Sequence, residues 1–219
     1  MKKVSPQEAI ASLNDGAVVM IGGFMSNGTP EILIDALIEK GVKNLTVIAN
    51  DGGTPDTGIG RLIKTGAVSR LIASHIGLNP LTGQLMNEGK MAVQLVPQGT
   101  LAEQIRAGGA GLGGVLTPTG LGTEIQAGKE VIEVDGETYL LEKPLKADFA
   151  LIRASLADEK GNLFYKATTR NFNPLMATAA ETVIAAAEEI VAVGEIMPEA
   201  VATPGIFVDY LVGGEPYVG

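Results

Sequence analysis

The stretch Asp15-Gly16-Ala17-Val18-Val19-Met20-Ile21-Gly22-Gly23-Phe24-Met25-Ser26-Asn27-Gly28-Thr29-Pro30 decides the fold. Residues 17–21 form a short, continuous apolar run, the pattern of a strand buried on both faces of a parallel sheet. Gly22-Gly23 removes two side chains where that strand ends. Thr29 is placed as an N-cap, Pro30 suits the first helical position, and Glu31 complements the positive end of a helix. A loop of this kind presents backbone N–H groups at the carboxyl end of a sheet, where open α/β folds bind ligands and stabilise an anion or oxyanion. A tight strand-to-helix connection with no ligand fits the glycine content equally well.

Outward from this stretch the chain keeps the same rhythm. Upstream, Ser5-Pro6-Gln7-Glu8 is a capping box that starts a short helix carrying Ala9, Ile10 and Leu13. Downstream, Ile32, Leu33, Ala36 and Leu37 recur at helical spacing, and Gly41 is placed as the C-terminal cap. Residues 45–49 form a second apolar strand, so strand, helix and strand make a right-handed βαβ unit with parallel strands. Residues 71–73 and 93–96 are further apolar pieces, each running into a polar segment, and Thr100-Leu101-Ala102-Glu103 reads as a capping box for a helix just beyond Gln98-Gly99. Residues 108–123 carry the densest glycines and read as a long connection without helical or strand period. Asp135-Gly136 between alternating apolar residues predicts a β-hairpin. Residues 149–152, 182–187 and 206–212 read as strands, 158–162 as a turn and 174–180 as a helix. The expectation is one α/β domain over residues 1–219, an open, mainly parallel sheet with helices on both faces and an antiparallel hairpin.

Composition narrows the function. The 219 residues include 46% apolar and 4% aromatic side chains, so the core is aliphatic. A net charge of -9 with no basic cluster argues against nucleic acid as a partner. With no Cys and a single His, thiolate zinc sites, cysteine nucleophiles and multi-histidine metal sites are excluded. The start lacks an apolar signal core and no apolar run is long enough to span a bilayer, which predicts a cytoplasmic protein without membrane attachment.

Residues 22–28 lack the Lys-Ser/Thr pair of a P-loop and the glycine spacing of a dinucleotide fingerprint. Gln98 sits between Pro97 and Gly99 at a strand end, where a primary amide can donate to a carbonyl or carboxylate oxygen or simply stabilise the loop. His75 could act as a base, although a lone His beside a strand end is more often structural. Arg106 could neutralise a phosphate or stay solvated, and turn formation accounts for Asn171 and Asn173. Glu31 and Glu103 fall at helix starts; Glu124 finds no place in this scheme. The residues themselves lead to a small-molecule-binding α/β domain and no further.

The opening stretch resembles the signature of the family I CoA-transferases: Asp-Gly, an apolar strand, Gly-Gly-Phe, three residues, Gly, any residue, Pro. A second block, Val96-Pro97-Gln98-Gly99-Thr100-Leu101-Ala102-Glu103-Gln104-Ile105-Arg106-Ala107-Gly108-Gly109-Ala110-Gly111, and a third, Thr168-Thr169-Arg170-Asn171-Phe172-Asn173, follow in the family's order. The likeness covers nearly the whole chain and points to the alpha-subunit half of the 3-oxoacid and acetate/butyrate–acetoacetate types. It implies covalent ping-pong transfer of CoA between an acyl-CoA and a short carboxylate through a glutamyl-CoA thioester. The nucleophilic Glu of the family belongs to the beta half, and no matching motif stands here, so the resemblance implies a beta-subunit partner, an α2β2 assembly and catalytic incompleteness alone. It further implies that Gly22, Gly23, Phe24, Met25, Ser26, Asn27 and Gly28 form the CoA-side loop, that Gln98 contacts the reacting carbonyl or carboxylate, and that Asn50 and Asp51 belong to the substrate pocket. Coenzyme A enters as substrate, with no permanently bound cofactor and no metal. Two other classes stand beside it: a non-catalytic sensing domain of the same fold, and a nicotinamide enzyme, against which the glycine spacing argues.

Overall fold

The computed structural model describes residues 1–214. In chain order its elements are β1 (Lys2–Lys3), α1 (Pro6–Ala9), β2 (Val18–Ile21), α2 (Glu31–Lys40), β3 (Leu45–Ala49), α3 (Ile59–Lys64), β4 (Val68–Ala73), α4 (Pro80–Asn87) and β5 (Ala92–Leu95). There follow α5 (Gln98–Ala110), β6 (Val115–Thr117), β7 (Val131–Val134), β8 (Glu137–Glu142), β9 (Ala147–Asp158), β10 (Leu163–Phe164), α6 (Asn173–Met176), β11 (Ala180–Val191) and β12 (Tyr210–Gly213).

The main sheet has the order β1-β12-β11-β9-β2-β3-β4-β5, parallel except for β10, which pairs antiparallel with β9. From β2 the chain steps outward through β3, β4 and β5; β9, β11 and β12 then fill the other side of β2. Strand order therefore reverses between β2 and β9, and a switch point of this kind opens a crevice at the carboxyl edge. The loops after β2, β3, β4 and β5 all end on that edge, so the fold brings residues 22–30, 50–58, 74–79 and 96–98 together.

Alternation along the strands builds two apolar layers. Val19, Ile21 and Val47 pack on one face with Ile10, Leu33, Leu37 and Leu62 of the first helical group, whereas Met20, Ile48 and Ile72 face Leu101, Ile105 and Met176 of α5 and α6. The Asp135-Gly136 turn has φ of 52° and 81°, the primed hairpin turn that Asp-Gly favours. Its strands join β6 in a separate three-stranded antiparallel sheet. Glu142, 2% exposed, docks this sheet on α5 by accepting from Gln104 Nε2 at 3.0 Å, and it also pairs with Lys129 beside β7.

The Ser5 capping box and the Gly41 left-handed cap form as expected. Other boundaries differ. Helix α2 starts at Glu31 with Pro30 at its N-cap, and no side chain caps it. Thr29 instead lies beneath Gly23, where a Cβ would fall 2.0 Å from its hydroxyl. Helix α5 begins at Gln98, so Thr100 is a buried residue of its first turn and not its cap. Residues 108–110 belong to α5 and 115–117 to β6, which shortens the presumed long connection. The helix expected over 174–180 is the four-residue α6, and Gly205–Phe207 is a 3-10 turn before β12.

Candidate active site

After β2 the chain makes a two-residue hairpin. Phe24 and Asn27 exchange backbone hydrogen bonds of 2.9 Å in both directions, with Met25 and Ser26 at φ of 50° and 69° between them. These are left-handed conformations that residues with a Cβ adopt at a cost of about 1–2 kcal/mol each. The turn is clasped from both sides. From the segment between β3 and α3, Asp51 Oδ2 accepts from Met25 N at 2.8 Å and the Thr57 hydroxyl bonds to Ser26. From the other side, Asn171, just before α6, accepts from Gly23 N at 3.1 Å and donates to Asn27 O at 2.9 Å, and Asn173, the first residue of α6, donates to Gly28 O at 3.0 Å.

The glycines serve these clasps. A Cβ on Gly22 would lie 1.8 Å from Asn173 Oδ1; one on Gly28, at φ 78°, would lie 2.7 Å from Thr169 O. The loop therefore does not present the open row of N–H groups expected from its glycine content. The amides of Gly22, Gly23, Phe24, Met25, Asn27 and Thr29 all have acceptors within the chain, so among the loop's non-proline amides those of Ser26 and Gly28 take none among the described residues. What the loop offers outward is an apolar tip, with Phe24 38% and Met25 50% exposed.

The strand ends next to it supply the polar groups. Asn50, 3% exposed, accepts at Oδ1 from Gln98 Nε2 at 2.8 Å and from Ser74 Oγ at 3.0 Å. Ser74 Oγ also donates to Asn50 O at 2.7 Å, which fixes the rotamer. Gln98 is exposed in the first turn of α5, and the first amides of that helix carry no side-chain cap. A primary amide has two N–H donors; Asn50 accepts from one, and the other has no acceptor among the described residues. Gln98, Asn50 and Asp51 thus come together with the hairpin at one edge, as expected. Asp51 differs in manner: 4% exposed, it spends Oδ1 on Gly53 N at 2.7 Å and Oδ2 on Met25.

Other candidates fall elsewhere. His75 is exposed and joins the edge through its backbone, its carbonyl accepting from Gly52 N at 2.9 Å. Arg106 pairs with Glu103 on the solvent side of α5, which raises its already high pKa. Glu31 accepts from Gly58 N at 2.7 Å and pairs with Arg61. Asn171 and Asn173, readable from sequence as turn formers, are the clasps that sequence reasoning missed. The signal was an Asn-x-Asn pair whose partners lie more than 140 residues away. Ser74 was also missed, since nothing in a lone Ser after a strand marks it.

A family model for coenzyme A transferases matches residues 3–214. The chain belongs to this family. The alpha subunit of acetate CoA-transferase from Escherichia coli K12 is 54% identical over 211 residues, 96% of each chain. The acetoacetyl-CoA:acetate/butyrate CoA transferase alpha subunit of Clostridium acetobutylicum is 56% identical over 198 residues, 90% of this chain and 91% of that one. Among solved structures, the acyl-CoA transferase YdiF of Escherichia coli O157:H7, as a thioester complex with CoA, superposes with a TM-score of 0.86 at 26% identity. That match covers 97% of this CoA-transferase chain and 47% of the YdiF chain, so the present chain spans about half of it. The α/β fold and the family implied by the three sequence blocks are borne out, and a sensing role is not favoured. Among the described residues no helix is long and apolar enough to cross a membrane.

Proposed function

We propose that this chain is the alpha subunit of a cytoplasmic CoA-transferase that moves CoA between an acyl-CoA and a short-chain carboxylate or 3-oxo acid of the acetate, butyrate and acetoacetate type. Residues 1–219 act as one alpha-subunit unit within an α2β2 assembly, and the nucleophilic glutamate comes from the beta subunit. The observation that carries the reading is the Gln98 amide, pinned by Asn50 at 2.8 Å and exposed beside the hairpin with one donor to spare. The carboxylates near the edge are already engaged: Asp51 by two amides, Glu31 by Gly58 and Arg61, Glu103 by Arg106. That fits a nucleophile delivered by another chain.

The partner's carboxylate attacks the thioester carbonyl, its C–S bond breaks, and CoA leaves as thiolate from an acyl-glutamyl anhydride. The thiolate then attacks the glutamyl carbonyl of the anhydride and releases the first carboxylate, leaving a glutamyl-CoA thioester. The acceptor carboxylate takes CoA by the same two steps in reverse. Each addition builds negative charge on a carbonyl oxygen. The Gln98 N–H is the donor this chain supplies to it, and a preoriented donor of this kind is worth roughly 10²–10³ in turnover. Phe24 and Met25 line the CoA side. Mixing the chain with its beta subunit and following acetoacetyl-CoA consumption in the presence of acetate tests the reading: activity requires both chains, and an isolated chain as active as the mixture refutes it.

A further inference from the structure

Two consecutive side chains at the end of β3 reach in opposite directions along the sheet edge. Asn50 reaches toward β4 and β5 and holds Gln98, while Asp51 reaches back toward β2 and holds the hairpin at Met25. With 4% exposure and both oxygens accepting from backbone N–H groups, the Asp51 carboxylate is placed to organise the loop and not to touch a ligand. The loop needs organising. A primed two-residue turn usually carries Asn-Gly, and here it carries Met25-Ser26, both left-handed. Strain of this kind persists only where the surroundings over-determine it. On the β3 side the determinants are the Asp51 bond to Met25 N and the Thr57 bond to Ser26; the Asn171 clasp grips the hairpin at its base. Chemistry restricts the Asp51 position. An amide has one oxygen, so Asn in the same pose turns an NH2 toward Met25 N or Gly53 N, donor against donor.

We propose that Asp51 is a positioning residue for acyl-CoA. Its carboxylate fixes the Met25 amide and thereby the Phe24–Met25 tip against which the thioester limb of the substrate packs. The proposal rests on the transferase reading above. It assigns Asp51 an effect on substrate affinity, set apart from the effect of Gln98 on the chemical step.

The test uses the complex with the beta subunit and four variants of this chain: Asp51→Asn, Met25→Gly, the pair, and Gln98→Ala as the reference for the chemical step. Asp51→Asn is expected to raise KM for acetoacetyl-CoA about tenfold with kcat within about twofold, the signature of lost binding shared by ground and transition states. Amide exchange at Met25 is expected to accelerate about tenfold, as loss of one hydrogen bond predicts. Met25→Gly removes the left-handed strain, so in that background Asp51→Asn is expected to raise KM by less than about threefold. Unchanged exchange at Met25, or the same KM factor in both backgrounds, overturns the proposal. Faster exchange with unchanged KM, while Gln98→Ala still lowers kcat, also overturns it and leaves the transferase reading standing. Silence of Gln98→Ala as well overturns the proposal and demotes Gln98 to a structural role.

Discussion

Residues 22–28 and 108–114 are both conspicuous runs of glycine, and they are built for different purposes. In α5, Gly108 and Gly109 let the helix close on its neighbours: a Cβ would meet Leu145 O at 1.9 Å in one case and the Thr178 hydroxyl at 2.1 Å in the other. Gly111 then ends the helix at φ 70°, with open space around it. In the loop after β2, the glycines make room for polar side chains, Asn173 under Gly22 and Thr29 under Gly23, and Asn173 holds the Gly28 carbonyl at the end of a strained hairpin. Glycine density thus reports close approach in both segments. What approaches, and at which edge of the sheet, separates a helix contact from a ligand wall.

Substitutions can break this contrast. The largest effect is expected at Gly22. A Cβ there displaces Asn173, which is fully buried and holds Gly28, Thr169 and the Arg153 amide. Gly22→Ala is expected to lower turnover of the complex more than about 100-fold and stability by about 2–3 kcal/mol, read by steady-state kinetics and denaturant unfolding. Gly108→Ala meets a backbone carbonyl and is expected to cost about 3 kcal/mol or more in unfolding, while the folded fraction keeps its kcat within about twofold. A large kcat loss there would erase the distinction between the two segments. Gln98→Ala removes an exposed side chain, so it is expected to leave the melting temperature in place and lower kcat more than about tenfold. Gly111→Ala, strained only by its φ, is expected to cost about 1 kcal/mol.

The smallest effect is a pH dependence at the turn after β9. Burial opposes ionisation of Asp158, but donors from Asn162 and from the Lys160 amide outweigh it and hold its carboxyl below the usual carboxylate range. A depressed folded-state pKa contributes stability above the unfolded value and loses it as pH falls through the folded one. The stability gap between the natural chain and Asp158→Asn is therefore expected to be full at neutral pH and to shrink below about pH 4 in acid unfolding curves.

Much of this was legible in the chain itself. The β2–α2 unit, the Asp135-Gly136 hairpin and the place of Gln98 at a strand end follow from local apolar period and turn chemistry. The helices α3 and α4 were not, because six and eight residues interrupted by Gly60 and Gly83 give too little period to read. Residues 182–187 read as a strand from Thr182, Val183 and Ile184, and burial between β9 and β12 overrides the helical preference of the three alanines 185–187. The state of the hairpin amides was invisible for another reason: Asn171, Asn173 and Asp51 reach them across 26 to 148 residues, and no local rule reports such pairings.

The central claim is that this chain holds and polarises the substrate while the nucleophile comes from another chain. Its most direct test is to incubate the complex with acetoacetyl-CoA, trap the intermediate with borohydride, and locate the modified glutamate by peptide mass spectrometry. The modification is expected on a glutamate of the beta subunit, and on none in this chain. A modified glutamate within residues 1–219 would contradict the account.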